Sequence, residues 1–600
     1  DIIIRGTSTG TTLGITNNSG GTIQAGDLLD IKGASAGDKA TITANGGKML
    51  ADQLGFNLTN LTNSGIIQGG AKASTISVTS TLTNNSAGTI TMADDSAGSG
   101  TVNADVISNS GLIQSENDMA VNIGTSLTNN STGTIITSDA LSFRGQSSAD
   151  YSISSAGRIQ APELSIKGYN NSNHVDITTT GSGAIILADN ADIDVDDFTI
   201  GNNTGLTTNH NLTLAADNLE LSGSGSYIVA AGDGTTGDHA NITVAHDFTN
   251  NGAVHSGYDM TFTAPNITNS NTGGFSALHN LTVNADDGDF DNYGALYAGN
   301  LLTASADDTF QNHETTGTMD SDQDIIVNAV TFINNNTLVA GDDITINATT
   351  FRNEITGGIP NRSWFIYDDH TDESGDGDFW SSFFGDSTYY YTRTYTREQR
   401  FDTTPSSNRA SITAGDVLTV NFTNGYNTAS RMNADTINLN GTGSFTNEEL
   451  SLERRFYTET WEDQRRDCVF GFCDYYYDQN HTDSYTHTAY STGTGAGIYA
   501  TNLNGTGGFS LVNISNATAY NSLNKKADSY SPSVSSTSKA GANHTDLASA
   551  ATGTTGSSAV SGTTTATGAS AISFGGLTIT LPTNPNGYFV PTVKDRKSVV

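Results

Sequence analysis

The sequence predicts an all-β protein, an elongated parallel β-helix (a solenoid) with two projecting β-hairpin insertions. Three observations point there. A motif recurs about every twenty residues along most of the chain, and self-similarity at that period belongs to stacked coils rather than to separate globular domains. Thr, Ser, Asn and Gly dominate, with 8 prolines and 14% charged residues, which suits short strands and tight turns rather than long helices. Two stretches rich in aromatic and Arg residues interrupt the repeat.

The unit is clearest at 332–350, FINNNTLVAGDDITINATT. Phe332 and Asn334 open it, Leu338 and Val339 form an apolar patch, Ala340-Gly341-Asp342 reads as a turn, and Ile344-Thr345-Ile346 alternates as a strand does. Equivalent openers are Leu61/Asn63, Leu82/Asn84, Ile107/Asn109, Leu127/Asn129, Phe248/Asn250, Ile267/Asn269, Phe290/Asn292, Phe310/Asn312 and Phe351/Asn353. From 248 to 351 the starts are spaced by 19, 23, 20, 22 and 19 residues. Between 150 and 240 the register is looser, with Ile153, Ile177 and Leu219 as the expected starts. Roughly sixteen to eighteen coils at ~4.8 Å each give a rod of about 80–90 Å. A hydrophobic share of 35% is low for a globule but sufficient for a narrow, continuous core. The recurring Asn63, Asn84, Asn250 and Asn334 are expected to stack into an amide ladder.

Repeats occupy 1–354, and a first aromatic and Arg-rich insertion spans 355–409. It carries Trp364, Trp380, Tyr389, Tyr390, Tyr391, Arg393 and Arg397. Coils resume over 410–448, and a second insertion at 449–496 holds Trp461, Arg465, Tyr475, Tyr476 and Tyr477. The last coils span 497–524. The alternation from Tyr391 to Arg397 reads as a long hairpin that leaves one coil and returns to the next. All three tryptophans fall in the insertions, as do most of the eleven Arg between 352 and 466; only eight Lys and Arg lie in 1–350. Aromatic and Arg residues dominate binding hot spots, so these twelve side chains are candidate partner contacts. The alternative is that they only pack the hairpins onto the rod.

From 525 to 570 the chain is Ser, Thr, Ala and Gly, the composition of a flexible linker. Residues 571–594 read as the start of a further module. The last six, 595–600, reverse-translate as GATCGGAAGAGCGTCGTG, which resembles a common sequencing adapter, so a non-native tail is expected there. The chain starts inside its own pattern without a signal peptide, and an upstream portion is expected.

A formal charge of −37 argues against nucleic acid and anionic membrane surfaces as partners. No stretch is long and apolar enough to cross a membrane as a helix. The acidic runs 286–289 and 373–378 lack calcium-loop spacing and read as turn chemistry. No Ser/His/Asp or Cys/His constellation, metal spacing or cofactor motif is evident, so no enzymatic activity and no cofactor are expected. The two cysteines, Cys468 and Cys473, flank Gly471 as at a hairpin tip. A bridge across that tip is favoured, with two free thiols as the alternative; zinc would need two further ligands.

The recurring Leu/Phe-x-Asn-x-Gly-x-Ile/Leu and Ala-Gly-Asp-x-Leu/Ile-Thr pattern is carried by Asn109, Gly111, Leu112, Ile113 and Gln114 and by Ala340 to Ile346. It resembles the haemagglutinin repeats of filamentous haemagglutinin and related two-partner secretion exoproteins, over residues 13 to about 515. The insertions after Asn-Glu resemble the late first repeat block of contact-dependent growth inhibition effectors. The resemblance implies a right-handed parallel β-helix, exported by an outer-membrane two-partner secretion transporter and displayed on a Gram-negative cell surface. It further implies a monomeric filament that touches a receptor or glycan on a neighbouring cell and supports toxin delivery. A filamentous adhesin without toxin is the alternative, and a polysaccharide-active β-helix enzyme a weaker one.

Overall fold

Three short strands and three corners make one coil, as in Ala295–Ala298, Leu301–Ala306 and Thr309–Asn312. The computed structural model describes residues 1–514 except 36, 171–172, 182, 233–236, 315, 356–363, 377–388, 402–408, 449–450, 466–467, 470–471, 474–479 and 492–495, together with the strands 571–574 and 577–580. Each coil strand pairs in parallel with its counterpart one coil on, so Phe290 faces Phe310, Phe310 faces Phe332 and Phe332 faces Phe351. The result is a right-handed parallel β-helix of about 17 turns, the fold class expected from the period. At ~4.8 Å per coil the rod is about 80 Å long.

One inward side chain in two fills the core. Phe248, Phe262, Phe275, Phe290, Phe310, Phe332, Phe351 and Phe445 are fully buried, and the rings of Phe290 and Phe310 stack with centroids 4.6 Å apart. At ~25 cal/mol per Å² of apolar surface, each such ring is a principal contributor to its own coil. The stacking continues because each coil leaves an apolar ledge that only the next coil can cover.

Beside the core runs the expected amide ladder. From Asn17 through Asn45, Asn63, Asn84 and Asn109 to Asn129, each Nδ2 donates to the next Oδ1 at 2.8–2.9 Å. A second run from Asn250 through Asn269, Asn292, Asn312, Asn334, Asn353 and Asn427 to Asn447 has bonds of 2.7–3.0 Å. The second amide hydrogen reaches a backbone carbonyl at the next corner, such as Thr337 O from Asn312. A buried amide therefore closes each corner without an unmet donor. Between the two runs the position passes to Ser155, Thr179, Ile200 and Leu221. The starts Ile153, Ile177 and Leu219 stand in register there, together with Phe198, which the opener pattern does not mark.

Both insertions leave the same corner. The first departs after Glu354 and rejoins at Ser411; the second departs after Glu448 and rejoins at Gly497. Between them the corner is crossed once without insertion, by the turn from Thr428 to Arg431, where Ala429 adopts φ 54°. Four successive levels thus each supply one long strand. They are Trp364–Asp376 (outgoing, first insertion), Tyr389–Phe401 (returning), Ser451–Arg465 (outgoing, second insertion) and Asn480–Ser491 (returning). The four form a single antiparallel sheet in that order. The rise per coil equals the spacing between neighbouring strands, so the rod sets them at pairing distance. The expected two hairpins are present, and they are fused.

Candidate functional site

Alternation sorts the sheet into two faces. Tyr395, Arg397 and Gln399 stand opposite Glu459, Tyr457 and Arg455 of the second insertion, and opposite Thr371, Asp369 and Ile366 of the outgoing strand. On this face Arg397 pairs with Asp369 at 3.3 Å and lies 5.2 Å from the Tyr395 ring centroid. Tyr395 meets Tyr457 edge-on with centroids 6.1 Å apart, and Arg455 Nε donates to Gln399 Oε1 at 2.7 Å across the seam between insertions. The other face carries hydroxyls, with Thr394, Thr460 and Thr482 in one cross-strand row and Thr396, Thr458 and Ser484 in the next.

Residues 394–399 and 455–460 are all half-buried, without the deep burial on alternate residues seen in the coils. The sheet is a single layer with solvent on both sides. Cross-strand aromatic, Arg–carboxylate and Thr–Thr pairs, each worth about 0.2–1 kcal/mol, replace a core. Thirteen residues per strand make the first insertion about 40 Å long.

By backbone register, Tyr389, Tyr391 and Arg393 belong to the same alternate set as Tyr395 and Arg397, and face Arg465, Asp463 and Trp461. Six of the twelve candidate residues, Tyr389, Tyr391, Arg393, Arg397, Trp461 and Arg465, therefore share one set, while Tyr390 falls in the other. Trp364 is at the rod end of its strand, opposite Phe401. Trp380, Tyr475, Tyr476 and Tyr477 lie outside the described residues, as do all of these side chains except that of Arg397. Cys468 stands opposite Cys473 in a short antiparallel pair; both thiols are outside the described residues.

The root of the sheet is braced electrostatically. Arg352 bonds Glu354 at 3.0 Å and lies 5.0 Å over the Tyr426 ring, and the hydrogen bond to Glu354 raises the guanidinium pKa. Beneath the root, Phe445 leans into the space above Gly425, where a Cβ would meet its ring at 2.4 Å. Phe422 does the same over Gly441, again at 2.4 Å. Two neighbouring coils thus exchange a large and a small residue at two positions, which keys them together between the insertion points.

Elsewhere on the rod, Asp289 of the 286–289 run donates its N–H to Asn266 and accepts the Thr309 N–H, which is turn chemistry. A carboxylate group that the sequence pattern does not single out, Asp342, Asp343 and Asp416, gathers at the surface of successive coils with ligand atoms within 4.8 Å. Partial desolvation and the neighbouring carboxylates raise the Asp342 pKa. No family model, curated protein or solved structure matches the chain.

Proposed function

We propose that the chain is a stalk segment of a secreted filamentous exoprotein on the surface of a Gram-negative bacterium. Its rod holds the fused sheet out for contact with a receptor or glycan on a neighbouring cell. The observation that supports this most is the sheet itself. Two separate insertions combine Tyr395, Arg397, Tyr457 and Arg455 on one solvent-facing surface, partway along strands about 40 Å long. A layer that buries no core gives the rod little stability, and aromatic and Arg side chains on such a layer suit a partner.

Export through an outer-membrane partner transporter and support of a toxin module belong to the same reading; they rest on the haemagglutinin-type repeat pattern. A filamentous adhesin without toxin is the second reading, which the rod and sheet serve equally well. Neither reading assigns the segment an enzymatic activity. Removing residues 355–408 and 450–496 together is expected to abolish binding of the purified segment to target cells while its coils stay folded. Unchanged binding would overturn the assignment.

A further inference from the structure

We propose that the flank of the rod carries a second binding site, a groove for a neutral oligosaccharide lined by Arg144, Tyr169, His174, Asp194, Asp196 and Asp217. The groove arises from a step in corner length. At the corner between second and third strands, the coils before and after run straight through, as in Met119–Asn129, Ile185–Ile200 and Leu212–Leu221. In two consecutive coils between them the strands are instead set apart, Gly145 from Tyr151 and Lys167 from Val175. Gly168, Tyr169, Asn170, Asn173 and His174 on the second of these, with Asp194, Asp196 and Asp217 on the loopless corners that follow, line a groove of about 400 Å³, within the range of small-ligand sites.

The walls are held in place. His174 Nδ1 lies 2.5 Å from Asp196 Oδ1, its backbone N–H donates to Asp150, and the Val175 N–H donates to Asp196 at 2.7 Å. The hydrogen bond to Asp196 raises the His174 pKa. Gly168 permits Asn173 to approach, since a Cβ there would lie 2.7 Å from the Asn173 carbonyl oxygen.

The binding groups themselves are free. Tyr169 is 56% exposed. Arg144, Asp194 and Asp217 are exposed and, among the described residues, make no side-chain hydrogen bond or ion pair.

That set selects its ligand. A cation would sit against Arg144 and against Lys167, which Asp192 already pairs, and an anion against Asp194 and Asp217, so either charge leaves one group facing its own sign. A polyol carries donors for the carboxylates and acceptors for the guanidinium without net charge. The C–H face of a sugar ring also fits the electron-rich face of Tyr169. The site lies on a different part of the rod from the projecting sheet and does not depend on it.

The test applies the full chain to an array of immobilised glucan, mannan and N-acetylglucosamine oligosaccharides, with sialylated and uronate oligosaccharides and spermine as charged controls. The strongest binder is then titrated calorimetrically. Binding to a neutral oligosaccharide is expected, falling at least tenfold in Tyr169→Ala and severalfold in Arg144→Ala with unchanged circular dichroism. The chain lacking 355–408 and 450–496 should bind it normally. Absence of neutral binding, preference for a charged control, or full binding by Tyr169→Ala overturns the groove. Loss on removing the insertions with none in Tyr169→Ala would move glycan binding to the sheet, overturning the groove and leaving the surface-contact reading standing.

Discussion

Rod and sheet are both β-structure, yet they are stabilised in opposite ways. In the rod, strands are parallel, every second side chain is buried, and one residue type at one position, Asn, closes corner after corner. In the sheet, strands are antiparallel, no side chain of 394–399 or 455–460 is deeply buried, and neighbouring pairs differ from row to row. Repetition lets each coil use its neighbour as its other half, so the rod specifies length and stiffness with little information. The sheet spends unrepeated sequence on a surface. Stability should therefore respond to changes in the rod, and recognition to changes in the sheet.

The largest effect is expected where the rod is keyed beneath the sheet. Phe445→Ala removes a fully buried ring and should cost about 3–5 kcal/mol in urea unfolding. Gly425→Ala alone should also destabilise, because its Cβ would meet that ring at 2.4 Å. In the Phe445→Ala background the obstacle is gone, and Gly425→Ala should be close to neutral. Additive costs in the double variant would contradict the keyed packing.

Next is the ladder. Asn334→Leu leaves Asn312 Nδ2 and Asn353 Oδ1 without their partner. With about 1–3 kcal/mol for each buried polar group left unmet, a loss of about 2–4 kcal/mol is expected. Hydrogen exchange should place it in the coils from 312 to 354 and leave distant coils protected. Uniform loss along the rod would contradict nearest-neighbour stacking.

A smaller effect is hidden by cancellation. His255 and Asp320 occupy one cross-strand row, linked through Ser276 and Tyr297. Burial lowers His255 to about 4, so its stabilising contribution, present above the unfolded value of ~6.5, is lost as pH falls towards 4. Burial, with Asp322 nearby, raises Asp320 to about 6. The fold then binds the Asp320 proton more tightly than the unfolded chain does, so stability from this group is lost as pH rises from ~3.8 to 6. The slopes oppose each other over nearly the same window. Asp320→Asn should make thermal stability rise between pH 4 and 6.5, and His255→Gln should make it fall between pH 4 and 6. Parallel profiles in the two variants would remove the assignment.

The smallest effect on stability belongs to the sheet. Arg397→Ala breaks a solvent-screened pair with Asp369 and should leave the melting temperature almost unchanged, while weakening target-cell binding severalfold. A large drop in melting temperature with full binding would reverse the roles given to rod and sheet.

The rod was legible because its signal is periodic. Phe332/Asn334 and their equivalents fix both the inward ring and the amide ladder, and the coil length follows from their spacing. The register blurs where Ile200 and Leu221 take the ladder position, since a buried apolar residue does the corner's packing without leaving a recognisable mark; Phe198 is missed for that reason. The hairpins were legible from alternation at Tyr391 to Arg397, but their fusion was not. It depends on one uninterrupted corner, at Thr428 to Arg431, bringing two strands distant in sequence to adjacent levels. The groove at Tyr169 escapes the sequence too, because two ordinary turn-like segments become a wall only beside corners that lack them.

Hydrogen exchange of the strand Tyr389–Phe401 in the chain lacking residues 450–496 tests the fused sheet most directly. With Ser451–Arg465 gone, that strand loses one of its two pairing partners, from Arg400 to Tyr389, and keeps only Trp364–Asp376; a lone two-stranded hairpin is marginal in water. Its amides should approach the exchange rate of unprotected chain while the coils from 248 to 354 keep their protection. Undiminished protection of Tyr389–Phe401 would mean that the first hairpin stands alone, and that the two insertions do not build one surface.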